Sequence, residues 1–362
     1  MKKVQRIEML FELLRVVLGL IIAYAISIVF VMLASGESAG EAVYNFAVGP
    51  FANARRFGQL MGKYIPYVLM GCGFCFIYSA GRFSLIGEGI VNFAPIIMCL
   101  VMFNTNLMTS MPSTVNLIFM VVVCAAIGGL IAMIPAYTRE RLGQSEMVIS
   151  IIMNYMLFFL SMWVLKMWLV DREASMQSTQ LYPDNMRFLP LVGTTNFHSG
   201  IIVSVIGWVI AVFMFGRMKI GQKIRTCGAN PSFAKYSGIN AAATVFIAQI
   251  IGGMFAGAAA CVDAFGMYSR YQYNALTNIG FDGLLVAVIA RKKPIFVPLA
   301  AFVLAYIRTS AVVLNLSSSI PVEFVNMMQA ILIFFVAAEH FLSKSKKKVI
   351  FSLARKTQGV KL

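Results

Sequence analysis

The lysines and arginines of this chain fall between its apolar stretches in a one-sided way, and that asymmetry constrains the fold more than any motif does. Ten stretches are apolar enough to cross a bilayer or line its interior: residues 12–34, 63–81, 88–106, 115–137, 147–169, 200–216, 241–262, 278–290, 294–310 and 323–342. The measure is the run of about 20 apolar residues that a spanning helix needs. With the sides alternating and the N-terminus in the cytoplasm, 21 of the 30 basic residues lie inside. The opposite side holds eight, namely Arg55, Arg56, Lys63, Lys166, Arg172, Arg187, Arg270 and Arg308, and Arg15 sits within the first stretch. Cytoplasmic loops carry the excess of positive charge. The expectation is an all-α polytopic membrane protein with about ten transmembrane or membrane-embedded helices and both termini cytoplasmic.

Composition bears on what else the chain could be. Sixty per cent of residues are apolar and 12% charged, about half the charged fraction of soluble domains. Mean hydropathy is +0.82. The longest polar run, 171–199, is expected to be an extracytoplasmic loop, and no hydrophilic stretch is long enough to fold alone. One membrane domain over 1–362, with a basic cytoplasmic tail at about 343–362, follows. The net charge of +16 resides in short loops and that tail, where topology and anionic lipid headgroups account for it and nucleic acid is not needed. Met1-Lys2-Lys3 precedes an apolar run longer than the roughly 7–15 residues of a signal-peptide core, so the first helix is expected to be retained.

Catalytic and metal constellations are missing from the sequence. Cys72 and Cys75 form a C-x-x-C without a second pair, and His198 and His340 fall on opposite sides of the map. The cysteines are expected to act as small apolar packing residues. Gly58 to Tyr64 superficially resembles a phosphate-binding loop. Phe57 stands where its first glycine belongs, and Tyr64 where a magnesium-holding Ser or Thr would stand.

Acids within apolar segments are the natural functional candidates, because each is costly unless paired or wetted. Glu88 lies in a Gly-rich break, and Asp282 lies in the short, Gly-interrupted stretch 278–290. Each either lines a path or caps a broken helix. Both 278–290 and 294–310 are short enough to be broken helices. Ser145-Glu146 reads as a helix start, with the acid complementing the N-terminal dipole. Asn154 is an interhelical hydrogen bonder, the preferred reading, or a path-lining group. Gly253 and Gly257, a small-x-x-x-small pair, predict close helix packing.

The most specific stretch is Gly221 to Ile239. It has a basic start, a Gly-x-Asn-Pro turn, a short helix over Ser232–Tyr236 and Gly238 as its stop. Gly228 is expected to occupy a turn position with positive φ. On residues alone this is either a solvated loop or a docking knob for a soluble partner.

That stretch resembles the coupling-helix region of ABC importer permeases for simple sugars, nucleosides and branched-chain amino acids, G-x-x-x-R-x-x-G-x-N-x-x-A-x-x-x-G-I. Its positions here are Gly221, Arg225, Gly228, Asn230, Ala234, Gly238 and Ile239, with Tyr236 also typical. Gly49-Pro50-Phe51 is similar to the outer G-P-F of the nucleoside-type branch, and Glu146 and Asn154 fit its E-V-I-S-T-I-M-L-N-Y. Gly280-Phe281-Asp282-Gly283, then Val286-Ala287, Arg291 and Pro294, resembles G-F-D-G-I-A-V-A-L-L-G-R-x-x-P, with Ala290 in place of a glycine. The family's F-N-I-G-x-E-G-Q appears as Phe83 to Ile90, keeping Glu88 and Gly89 but with Ser84, Ile86 and Ile90 replacing Asn, Gly and Gln.

The resemblance implies a single transmembrane permease domain in the bacterial cell membrane, without an ATPase site or cofactor of its own. ATP would be bound by partner subunits docked on the 217–240 loop. A second permease subunit, identical or related, would complete the path, and an extracytoplasmic solute-binding protein would deliver a nucleoside or simple sugar. Glu88, Asn154, Phe281 and Asp282 are the candidate path residues. The rival expectation is an ion- or proton-coupled secondary carrier using Glu88 and Asp282; a branched-chain amino acid is the alternative solute.

Overall fold

A computed structural model describes Val29 and residues 39–105, 111–173, 176–193 and 195–317. The described residues are helical and contain no strand, only isolated bridges at Val170–Thr179 and Pro190–His198. Residues 50–309 form one compact unit, and residues 1–49 with 310–362 a second. In the second unit lie α1 (Ala39–Ala47) and the last turns of the final helix. The first unit carries α2 (Ala54–Ser79), α3 (Gly87–Asn104), α4 (Ser113–Leu142), α5 (Glu146–Val164), α6 (Gly200–Gly216) and α7 (Lys219–Ala229). After these come α8 (Pro231–Tyr236), α9 (Ala241–Met267), α10 (Ile279–Ile289) and the start of α11 (Val297–Ser317).

Helix α9 is the hub, because its small residues let two neighbouring backbones approach. Cβ atoms at Gly253 and Gly257 would collide with the carbonyl oxygens of Gly128 and Cys124 on α4. On another face a Cβ at Gly252 would meet Ile77 of α2, and one at Gly73 would sit 2.7 Å from the Gly252 carbonyl. Such close approach favours dispersion and backbone contacts, the terms left when lipid replaces water outside. Outward faces of α4 to α6 stay apolar and exposed, as at Ile118 (66%), Leu130 (66%) and Phe213 (60%). On a lipid-facing surface that exposure is expected.

Helix ends follow local chemistry. Gly143, at φ 68, ends α4 with its N–H on the Arg139 carbonyl, while Arg139 and Arg141 complement the negative end of the dipole. Asn230 and Asn240 cap α8 and α9 by accepting from Phe233 N and Ala243 N, each at 3.0 Å. At the end of α10, Lys292 N–H reaches the Ala287 carbonyl and Arg291 N–H the Val288 carbonyl, both at 2.9 Å. This is a Schellman turn, whose left-handed position usually takes glycine. Here Arg291 (φ 54) and Lys292 (φ 60) are both left-handed, at a cost of about 1–2 kcal/mol each.

The structure corrects the expected map in several places. Stretches 12–34 and 323–342 and the basic tail lie outside the described residues, save Val29. Six helical segments are long and apolar enough to span, and the α6–α7 pair, bent by 66°, makes seven if counted as one. The tenfold count is therefore not reached among the described residues. Stretch 278–290 forms α10, only 11 residues long, or about 16 Å at 1.5 Å per residue against a hydrocarbon core of about 30 Å. Stretch 294–310 is not broken: a single 3-10 turn runs into continuous α11. Helix α2 begins nine residues earlier than hydropathy indicated, so Lys63 lies within it and Arg308 within α11. Both leave the outer-loop charge count, because each lies within a helix.

Candidate functional site

Two helix starts meet inside the bundle. Glu88, fully buried in the first turn of α3, points across to the start of α10. There its carboxylate accepts from Asn278 N and Gly280 N at 2.8 Å and from Thr277 Oγ1 at 3.0 Å. An anion shared between two helix N-termini satisfies orphan N–H groups and both positive dipole ends at once. Gly280 is required by space: a Cβ there would collide with the backbone of Glu88 and Gly87. Asn278 enters α10 in the left-handed conformation, φ 62, which Asn tolerates better than most residues.

Helix α5 fixes the break before Glu88. Asn154 Oδ1 accepts from Gly89 N at 2.8 Å, and its amide donates to the Leu85 carbonyl at 2.9 Å. Ser150 Oγ accepts from Leu85 N at 3.0 Å. Irregular backbone at membrane depth is thereby satisfied by protein. Asn154 bonds between helices, while Phe281 is half-buried beside Asp282 in α10.

Asp282 sits one turn into α10, 3% exposed. Arg308 of α11 donates to its Oδ1 at 2.6 Å, and Tyr67 of α2 donates to its Oδ2. Nearby, Asp263 of α9 accepts from Tyr273. Lys63, one turn before Tyr67, feels the charges of Arg308, Asp282 and Asp263. Sequence reasoning named Asp282 but missed Tyr67, Arg308, Asp263, Tyr273 and Lys63. Lys63 and Arg308 had been counted as loop charges, and Asp263 lies one residue past the end of its stretch. Basic residues within apolar windows were the signal that could have found two of them.

Described residues of 171–199 bond to the end of α9 and to the chain just after it. Thr179 N donates to the Tyr271 carbonyl at 3.1 Å, Tyr182 N to Ser269 at 2.9 Å and Phe188 N to Phe265 at 3.1 Å. His198 is buried against Gly200 and Gly266, where a Cβ would strike its ring. Its Nδ1 accepts from Gly200 N at 3.2 Å, and burial pushes the imidazole down to about 4. The folded protein therefore binds fewer protons here than the unfolded chain does once pH falls below about 6.5. Stability is expected to be intact above that pH and to fall by about 3 kcal/mol as pH drops to about 4. Thermal unfolding against pH checks this, and His198→Asn should remove that component of the slope.

The cytoplasm-assigned stretch is a helical hairpin rather than a loop. Its basic start forms α7, which sequence reasoning left as coil, and the expected short helix is Pro231–Tyr236 with Gly238 (φ 75) in the Schellman position. Gly221 lies against the Met214 and Phe215 carbonyls, which allows the bend from α6. Arg225 stacks over Phe215 at 5.2 Å. Ala234 is fully buried, whereas Phe233 (60%) and Tyr236 (91%) project outward. Gly228 is not a positive-φ turn residue as expected; it lies inside α7. Its constraint is spatial: a Cβ would collide with the Ser79 carbonyl oxygen and sit 2.9 Å from Gly81 N. The hairpin thus rests directly on the end of α2, five residues before the 84–89 break.

Spanning helices around a buried charged cluster, with an amphipathic hairpin seated on one end of the bundle, define a polytopic membrane permease. The chain belongs to the family described as branched-chain amino acid transport system / permease component, whose model matches residues 57–337. It is similar to the guanosine ABC transporter permease protein NupP of Bacillus subtilis (strain 168), 26% identical over 357 residues that cover 94% of this chain and 97% of that one. Similarity to the nucleoside ABC transporter permease protein NupB of Lactococcus lactis subsp. cremoris (strain MG1363) is 25% over 370 residues, covering 98% of each. The glucose ABC transporter permease protein TsgB13 of Haloferax volcanii is 20% identical over 303 residues, covering 81% of this chain and 79% of that one. The protein is a membrane-embedded permease subunit of an ABC importer.

Proposed function

We propose that the chain forms the translocation path for a nucleoside in an ATP-driven importer, with hydrolysis performed by partner ATPase subunits docked on α7 and α8. The observation that carries the solute class is similarity, at 25–26% identity over nearly the whole length, to two permeases named for guanosine and nucleosides. A simple sugar is the second reading, favoured by the glucose permease relative. The described cluster suits a neutral solute, because the two acids Asp263 and Asp282 are balanced by Lys63 and Arg308 and bonded by Tyr273 and Tyr67. Exposed Phe233 and Tyr236 supply the docking knob, and the Gly228 contact supplies a route from it to α2.

A second permease subunit and an extracytoplasmic binding protein complete the assembly in this reading. Glu88 is bonded by the start of α10, and Asp282 by Arg308 and Tyr67, so in this reading both hold helices together and do not carry a coupled ion. The residues at 83–90 that depart from the family pattern tune the path without adding charge.

Uptake of guanosine, adenosine, uridine, ribose and leucine by cells expressing the full system tests the solute. Nucleosides are expected to enter and to compete with one another. Uptake of leucine alone would remove the assignment. Reporters fused after Leu362 and within 217–240 are expected to read cytoplasmic, and one at Asp184 extracytoplasmic; the reverse pattern at 184 would overturn the topology.

A further inference from the structure

A cavity of about 530 Å³ opens where α7 meets the turn between α10 and α11, and it lies apart from the charged cluster. Its wall has two chemistries. Arg225, Arg291, Lys292 and Lys293 come to it from two separate segments, and Val212 and Phe215 of α6 add apolar wall, with Arg225 stacked over the Phe215 ring. Those two lie on the last turns of a helix whose flanking surface is apolar and exposed: Val205 (49%), Val209 (53%) and Phe213 (60%). The cavity therefore sits at the end of a lipid-facing helix, at headgroup level.

The basic turn is held in place deliberately. Trp208 Nε1 donates to the Pro294 carbonyl at 2.9 Å, and Ser79 Oγ to the Lys292 carbonyl at 3.2 Å. Arg291 and Lys292 occupy consecutive left-handed positions where glycine would be easier. Strained non-glycine residues persist where the surroundings over-determine them, and they concentrate at ligand clamps.

We propose that this cavity binds the phosphate headgroup of an anionic phospholipid, with an acyl chain running along the exposed face of α6. Cationic walls at the end of a spanning helix complement the phosphodiester, and Val212 and Phe215 complement the first methylenes of the chain. A bound headgroup bridges Arg225 of α7 to the Arg291–Lys293 turn, pinning the hairpin to the membrane face. The site stands independently of which solute is carried.

The test is native mass spectrometry of the purified full chain, offered equal amounts of phosphatidylglycerol and phosphatidylcholine. Wild type is expected to retain phosphatidylglycerol selectively. In Arg291→Gln/Lys292→Gln/Lys293→Gln that retention should fall by about tenfold or more, since each basic residue near an anionic surface contributes about fivefold. Retention unchanged in this variant would overturn the site. So would an equal loss in Arg139→Gln/Arg141→Gln, which removes charge elsewhere at the end of α4. Should the triple variant fail to fold, Arg291→Gly/Lys292→Gly relieves the left-handed strain and is expected to be at least as thermally stable as wild type while losing the lipid; lipid kept in that variant would refute the proposal. Inorganic phosphate is expected not to displace the lipid, and displacement by it would reassign the cavity to a soluble anion.

Discussion

Replacing Gly228 with valine is expected to abolish solute uptake while the chain still inserts in the membrane. The side chain has nowhere to go, because the Ser79 carbonyl and Gly81 amide occupy the position of its Cβ. Overpacking against side chains costs about 1–3 kcal/mol, and here the obstacle is backbone that cannot rotate aside. Helix α7 must therefore lift from the end of α2, which separates the docking surface from the 84–89 break. Hydrolysis by a partner ATPase would continue without moving solute. Gly238 is the control: it has φ 75 but open space around it. Gly238→Ala is expected to cost only the left-handed strain, about 1–2 kcal/mol, and to keep most uptake. Parallel assays of membrane content, ATP hydrolysis and uptake separate the two; normal uptake in Gly228→Val would take this contact out of the mechanism.

The second large effect is expected at Arg308. Arg308→Met leaves the Asp282 carboxyl buried without its guanidinium and bonded by Tyr67. Breaking a buried pair from one side costs about 3–5 kcal/mol, whereas removing both charges is often close to neutral. Thermal unfolding in detergent should show a large loss for Arg308→Met and substantial recovery in Arg308→Met/Asp282→Asn. Failure of the double variant to recover would mean that Arg308 contributes through packing rather than through the pair.

What the sequence made legible was whatever depends on local composition. Residues 200–216 are helical at the bounds hydropathy indicated, and the helix after Asn230 starts within one residue of expectation, because a capping Asn followed by Pro leaves little choice. Long-range pairing was not legible. Lys63 and Arg308 fall within apolar stretches, a local hint of an interior role, but nothing local names their counter-charges Asp263 and Asp282. Glycine was the subtler failure: Gly228 and Gly238 look alike in sequence, yet one is fixed by a neighbouring backbone and the other by its own φ. The basic residues of 219–225 concealed α7, because polarity there satisfies both a solvated loop and an amphipathic helix.

The central claim is that this permease moves solute only when a partner hydrolyses ATP. Its direct test is guanosine uptake into proteoliposomes holding the chain with its ATPase subunits, with the binding protein added outside. Uptake should require ATP inside, stop with a non-hydrolysable analogue and be indifferent to a protonophore. Uptake that proceeds without ATP and collapses when the proton gradient is dissipated would contradict the account.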